Sequence, residues 1–128
     1  MTGIVAGTIS VKVTSAVLKR DTEMFGKMSP FVEIELGSQK KRTTTQKKAG
    51  KNPNFGGEVL QFETEAPAMK VIVWDEESVK KNDKVGEALF QVDKVTRGEL
   101  KQAPIEIMYK NKYAGTVYVE FDFLSRMG

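Results

Sequence analysis

The chain has 128 residues, 40% of them hydrophobic and 29% charged, with 20 basic against 17 acidic side chains and a formal net charge of +3. Such a length fits one domain that buries roughly two-thirds of the surface its unfolded form exposes, without a disulfide staple. Histidine and cysteine are absent, which removes the usual neutral-pH base, the thiolate nucleophile and the ligands zinc prefers. No apolar run approaches the ~20 residues of a membrane span. No Ser-x-x-Lys or Gly-x-Ser-x-Gly signature offers another catalytic route, so the chain reads as non-enzymatic. Its opening residues lack the basic and apolar regions of a secretory signal, and Thr2 in place of glycine argues against myristoylation, so a cytoplasmic location is expected.

Two-residue alternation dominates, the period of a half-buried strand. Ile9, Val11 and Val13 alternate with Ser10, Lys12 and Thr14; Val32, Ile34 and Leu36 alternate with Glu33 and Glu35; Leu60 and Phe62 flank Gln61. Ile105, Ile107 and Tyr109 repeat the beat, and Val117, Val119, Phe121 and Phe123 are expected to face a core while Thr116, Tyr118, Glu120 and Asp122 face outward. With turn signals at 37–38, 50–54, 56–57 and 111–115, the pattern predicts strands over 8–17, 30–36, 41–46, 58–63, 68–75, 85–91, 104–109 and 115–124. The expected fold is an all-β, eight-stranded antiparallel sandwich. One helical turn fits between 93 and 101, with Asp93 as its cap and Gly98 ending it. In 68–75, Val71 and Val73 share one face and Ile72 and Trp74 the other. Apolar residues on both faces suit an interior strand, with Trp74 read as packing rather than ligand stacking.

Two charged segments carry the functional signal. The loop after Trp74 collects Asp75, Glu76, Glu77 and Asp83 between two strands, an oxygen-rich set suited to a hard cation. Lys80, Lys81 and Lys84 lie among them, and Lys19, Arg20 and Lys27 surround the first loop, so solvated ion pairing without a metal is the competing reading. From 37 to 57 there is no acidic residue, yet Lys40, Lys41, Arg42, Lys47, Lys48 and Lys51 lie within twelve positions. Gathered on one side of the sandwich, each would contribute about 1 kcal/mol beside an anionic leaflet. Alternatively they keep an edge strand soluble and unpaired.

Three stretches then fall in a telling order: Gly26-Lys27-Met28-Ser29-Pro30-Phe31-Val32; Asn52-Pro53-Asn54-Phe55 followed by Glu58 to Phe62; and Asp75, Glu77, Asp83 and Gly86. They are similar to the Gly-x-x-Asp-Pro-Tyr-Val, Asn-Pro-x-Trp and Asp-x-Asp signatures of the C2 domain, a calcium- and phospholipid-binding β-sandwich. The resemblance runs from about Gly7 to Leu124. Only seven residues precede the first predicted strand and a long strand closes the chain, which resembles the family's permuted topology. It implies a module complete in itself, with a lead at 1–6, the domain at 7–124 and a tail at 125–128.

Carried over residue by residue, the family's acidic positions become Glu23, Ser29, Asp75, Glu77 and Asp83. The resemblance implies a calcium site made by Glu23, Asp75, Glu77 and Asp83, weakened because Ser29 brings no charge and two positions are lengthened to glutamate. Asp21 and Glu76 stand near enough to compensate. Met24, Phe25, Met28 and Val79 fall in the loops beside the acidic site, either as tips that enter a headgroup layer or as packing beneath the loops. The expected function is peripheral docking of a monomer on anionic phospholipid membranes through the lysine-rich face and apical loops, with calcium a weak or lost co-ligand. Its rival is a protein-interaction scaffold for an acidic or phosphorylated segment. Nucleic acid fits poorly, because the basic stretch carries no interleaved aromatic platform.

Overall fold

The computed structural model describes residues 5–126. Eight strands and one helical turn follow the chain: β1 Gly7–Leu18, β2 Pro30–Leu36, β3 Gln39–Arg42, β4 Asn54–Glu63, β5 Ala68–Asp75, β6 Asp83–Gln91, α1 Asp93–Thr96, β7 Gln102–Tyr109 and β8 Lys112–Ser125. Hydrogen bonding links them in the order β3-β2-β5-β6-β7-β8-β1-β4, antiparallel throughout. Among the described residues only the pair Glu87 and Met108 joins β6 to β7. The strands therefore form two four-stranded leaves, β3-β2-β5-β6 and β7-β8-β1-β4, closed over one core. Of the expected lead and tail, 1–4 and 127–128 lie outside the described residues.

The alternating apolar residues become that core. Ile9, Val11, Val13, Val32, Ile34, Val71, Val73 and Ile107 are all wholly buried. Ile72 is buried on the outer side of β5 and Trp74 is half-buried there, its indole N–H donating to Glu33 Oε1 at 3.2 Å. At the outer ends of the two leaves the Gln39 side chain takes over ladder bonding. Its Nε2 donates to the Glu63 carbonyl at 2.6 Å and its Oε1 accepts from the Glu63 N–H at 2.8 Å, closing β3 against β4 where unpaired backbone would otherwise invite another chain.

Several boundaries differ from the sequence expectation. The strand expected over 41–46 is Gln39–Arg42, because Thr43 turns inward and is buried. Its N–H donates to the Val32 carbonyl and its Oγ1 accepts from the Val32 N–H, both at 2.9 Å. Asp93 opens α1 but does not cap it: Val92 is the cap residue, and the Asp93 carboxylate accepts from Arg97 Nη1 at 3.3 Å. Thr116 is buried rather than exposed, with its hydroxyl 2.5 Å from that of Tyr113, and Phe123 is only half-buried.

The leaves meet closely at Gly86, where a Cβ would lie 2.9 Å from Ala114 Cβ and 3.2 Å from the Met108 carbonyl oxygen. Gly86→Val is expected to force β6 away from β7 and β8. It should cost about 1–3 kcal/mol by overpacking, read as a lower urea midpoint at an unchanged slope.

Candidate functional site

Antiparallel topology sends the loops 19–29, 43–53 and 76–82 and the turn at 110–111 to one end of the sandwich. Val71, Val73 and Asp75 occupy the inward side of β5, so the same beat that builds the core delivers a carboxylate to its mouth. Asp75 is 1% exposed. Its Oδ1 accepts from the Ser29 N–H at 2.7 Å and its Oδ2 from the Thr22 hydroxyl at 2.8 Å, so the first loop is pinned to β5. Asp83 opens β6 directly opposite Asp75. The Glu77 N–H donates to Asn82 Oδ1 at 2.9 Å, tightening the loop between the strands.

Glu23, Asp75, Glu77 and Asp83 converge as the resemblance implies, each offering an oxygen within 4.8 Å of the others. Among the described residues no donor N–H or hydroxyl reaches the buried Glu77 Oε2, a costly state for a carboxylate oxygen unless a cation or a proton shared with a neighbouring carboxylate meets it. Three of these carboxylates are close enough to share protons. Hydrogen bonds to Asp75 and Glu77, with burial and their negative charge, push the Glu23 carboxyl up to about 7. Burial works to raise Asp75, but hydrogen bonds from Glu23, the Ser29 N–H and Thr22 outweigh it and hold Asp75 below its ordinary value. Charge repulsion in the cluster is thus relieved by a proton held on Glu23.

The adjoining cleft of about 180 Å³ is lined by Ser29, Glu76 and Ser78 together with Glu23, Asp75 and Glu77, and by two lysines, Lys27 and Lys48. Ser29 supports its rim, for Ser29 Oγ accepts the Lys48 N–H at 3.0 Å. The compensating carboxylates are engaged elsewhere. Glu76 Oε1 accepts from Thr45 at 2.6 Å and Arg42 at 3.4 Å, and Asp21 accepts the Glu23 N–H at 3.0 Å. A hard oxygen-seeking cation fits the donor set: four carboxylates, one buried oxygen that no N–H or hydroxyl among the described residues reaches, and two edges fixed by strands.

The six cations expected on one face are not brought together there. Lys40 and Arg42 point to the outer side of β3: Lys40 pairs with Glu35 at 3.9 Å, and the Arg42 guanidinium lies 3.6 Å from the Phe31 ring centroid. Lys41, on the opposite side of the strand, stands 5.6 Å from the Phe62 ring centroid. Strand alternation separates them. Lys47, Lys48 and Lys51 belong instead to the apical loops, where Lys19, Lys27, Lys80, Lys81, Lys110 and Lys112 are also exposed. Among the acidic residues there only Asp21 is exposed, while Glu23, Glu76, Glu77 and Asp83 are half-buried and Asp75 is buried. The outermost surface at this end is therefore cationic around a sunken acidic cleft. Sequence reasoning took Lys19, Lys27, Lys80 and Lys81 as ion-pairing partners of the acidic loops and did not single out Lys110 or Lys112; their common feature is adjacency to a loop at the same end.

Of the apolar tip candidates, Met24, Phe25 and Val79 are 88%, 84% and 91% exposed. Met28 is a correction: it is wholly buried, because the inward beat of Val32 and Ile34 extends back through Pro30 to Met28.

This architecture has known counterparts. The family model for the C2 domain matches residues 7–107. The chain is 28% identical over 121 residues to Ingression protein fic1 of Schizosaccharomyces pombe, covering 92% of this chain and 44% of that protein. It is 30% identical over 106 residues to Synaptotagmin-2 of Arabidopsis thaliana, covering 80% of this chain and 20% of that one. The chain thus spans less than half the length of these two curated relatives. Among solved structures, a C2 domain of plant Extended Synaptotagmin 1 superposes with a TM-score of 0.79 at 27% identity, covering 97% of this chain and 98% of that one. Family model, relatives and superposition agree with the β-sandwich described above: the chain belongs to the C2 domain family.

Proposed function

We propose that this C2 domain docks end-on on anionic phospholipid surfaces, with calcium as a weak co-ligand. The observation that carries the reading is the combination at one end of three exposed apolar tips, Met24, Phe25 and Val79, with nine exposed lysines. Each lysine held near an anionic leaflet contributes about 1 kcal/mol, and burying one apolar tip adds roughly 1.5–3 kcal/mol. Lys40, Lys41 and Arg42 flank this end at the edge of the sandwich and are secondary contacts. Membership in the family and the likeness to plant synaptotagmins support membrane binding; no helix among the described residues is long and apolar enough to cross a bilayer.

Calcium would be held by Glu23, Asp75, Glu77 and Asp83, where its charge offsets the clustered carboxylates. Affinity is weak because Ser29 supplies no charge and Lys27 and Lys48 already line the cleft. Co-sedimentation with phosphatidylserine vesicles tests the reading. Pelleting is expected in chelator at low salt, increased by calcium and reduced at high salt; protein that stays in the supernatant at low salt, with calcium and with chelator, overturns it.

Protonation of Glu23 gives the calcium response a sign. Its carboxyl is raised from 4.5 to about 7 on folding, so the folded chain holds a proton that the unfolded chain has released. In that window rising pH destabilises the metal-free fold, and the cation competes with the proton. Calcium affinity is expected to fall roughly tenfold from pH 8 to pH 6, with net proton release at pH 6. Titration calorimetry in buffers of different ionisation enthalpy measures both.

A further inference from the structure

The outer face of the leaf β7-β8-β1-β4 is unlike that of its partner leaf. On the partner leaf the charges are consumed internally, with Lys70 and Lys84 both paired to Glu87 at 3.5 and 3.2 Å. On this leaf Val17, Met108, Tyr113 and Tyr118 are all exposed. Register sets them around Thr116 on three neighbouring strands. Tyr118 lies opposite Ser15 and exposed Pro104, Thr116 lies opposite Val17 and Glu106, and Tyr113 lies opposite Met108. Around this aromatic and aliphatic patch stand exposed Glu106, Glu120 and Asp122, none of which makes an ion pair among the described residues. Lys12 faces Glu120 in register without closing a pair.

We propose that this sheet face is a docking surface for a basic, partly apolar segment of another protein. Tyrosine and methionine side chains supply contact area of the kind interfaces favour, and contiguous exposed apolar surface on a folded domain marks interaction sites. The carboxylates choose the occupant. A second copy docked by the same face sets three carboxylates against their own images, and an anionic leaflet is repelled by them. A cationic segment is attracted, gains specificity from complementary charge and covers the patch with its apolar side chains. Val17, Tyr118 and Glu106 lie on the flank of the sandwich, so the segment leaves the loops 19–29 and 76–82 to a membrane; only Met108 and Tyr113, beside the turn at 110–111, adjoin that end. The partner chemistry is opposite in sign to the acidic or phosphorylated segment expected from the sequence.

The test needs no vesicles, so it stands apart from membrane docking. A random dodecapeptide phage library is panned on the full chain, with counter-selection on the Glu106→Lys, Tyr118→Ser double variant. Enriched peptides are expected to carry net positive charge and apolar residues. As synthetic peptides they should lose at least roughly tenfold in affinity on either single variant and weaken with salt. Glu106→Lys alters an exposed side chain with no ion pair, so it keeps the test decisive if circular dichroism shows Tyr118→Ser unfolded. Absence of enrichment, enrichment of acidic or neutral peptides, or indifference to both single variants overturns the proposal. So does a dimer that Glu106→Lys or Tyr118→Ser abolishes, or vesicle binding that is lost on folded Tyr118→Ser.

Discussion

Changing Phe25 to aspartate is expected to weaken vesicle binding by roughly a hundredfold while leaving the fold intact. The ring is 84% exposed and belongs to a loop tip, so its removal forfeits no core packing. Its transfer into the headgroup boundary contributes about 1.5–3 kcal/mol, and a new negative charge beside the leaflet costs about 1 kcal/mol more. Val79→Asp should act in the same direction from the loop 76–82. Met28→Asp gives the contrast: it places a charge in the core where Met28 is wholly buried, and unfolding rather than weak binding is the expected result. Vesicle titration alongside urea denaturation separates the two classes.

Asp75 should show a comparable separation between stability and binding. Asp75→Ala leaves the Ser29 N–H without the acceptor it has at 2.7 Å and frees the Thr22 hydroxyl. The loss is expected to cost about 1.5–3 kcal/mol, somewhat offset by relief of repulsion from Glu23 and Glu77. Asp75→Asn retains an oxygen for the Ser29 N–H and an amide that donates to Thr22, so it should stay within about 1 kcal/mol of wild type. Both variants should lose calcium binding. Because the folded carboxyl lies below its ordinary 3.8, its contribution to stability is present above that value. It disappears as pH falls through the lower folded one. Asp75→Asn should therefore flatten the acid limb of the stability profile.

Most strands were legible because burial on one side leaves a period of two in the sequence: the inward positions of β1, β2 and β5 are the residues that alternation picks out. The strand expected at 41–46 misled because threonines have high strand propensity, whereas Thr43 bonds Val32 with both its N–H and its hydroxyl and ends the edge strand there. Met28 misled because its neighbours are a loop sequence, although its parity is that of the core. The four carboxylates were legible through the spacing of a resembling family. The lysine ring was not, since Lys19, Lys80 and Lys110 are distant in sequence and meet only because antiparallel strands return three loops and a hairpin to one end. The basic run at 40–51 looked like one face because sequence counts charges without their directions. Alternation turns Lys41 away from Lys40 and Arg42, and ion pairing engages the latter two.

End-on docking makes a spatial statement that one experiment reads directly. The chain has no cysteine, so an environment-sensitive fluorophore can be placed at a single introduced thiol without background. It is attached in turn at Phe25→Cys, Val79→Cys, Lys41→Cys and Ser10→Cys, and emission is recorded with phosphatidylserine vesicles in chelator and in calcium. End-on docking requires a blue shift at Phe25 and Val79, a small change at most at Lys41 and none at Ser10. A strong shift at Lys41 with none at Phe25 and Val79 would contradict it, placing the β3 face rather than the loops against the membrane.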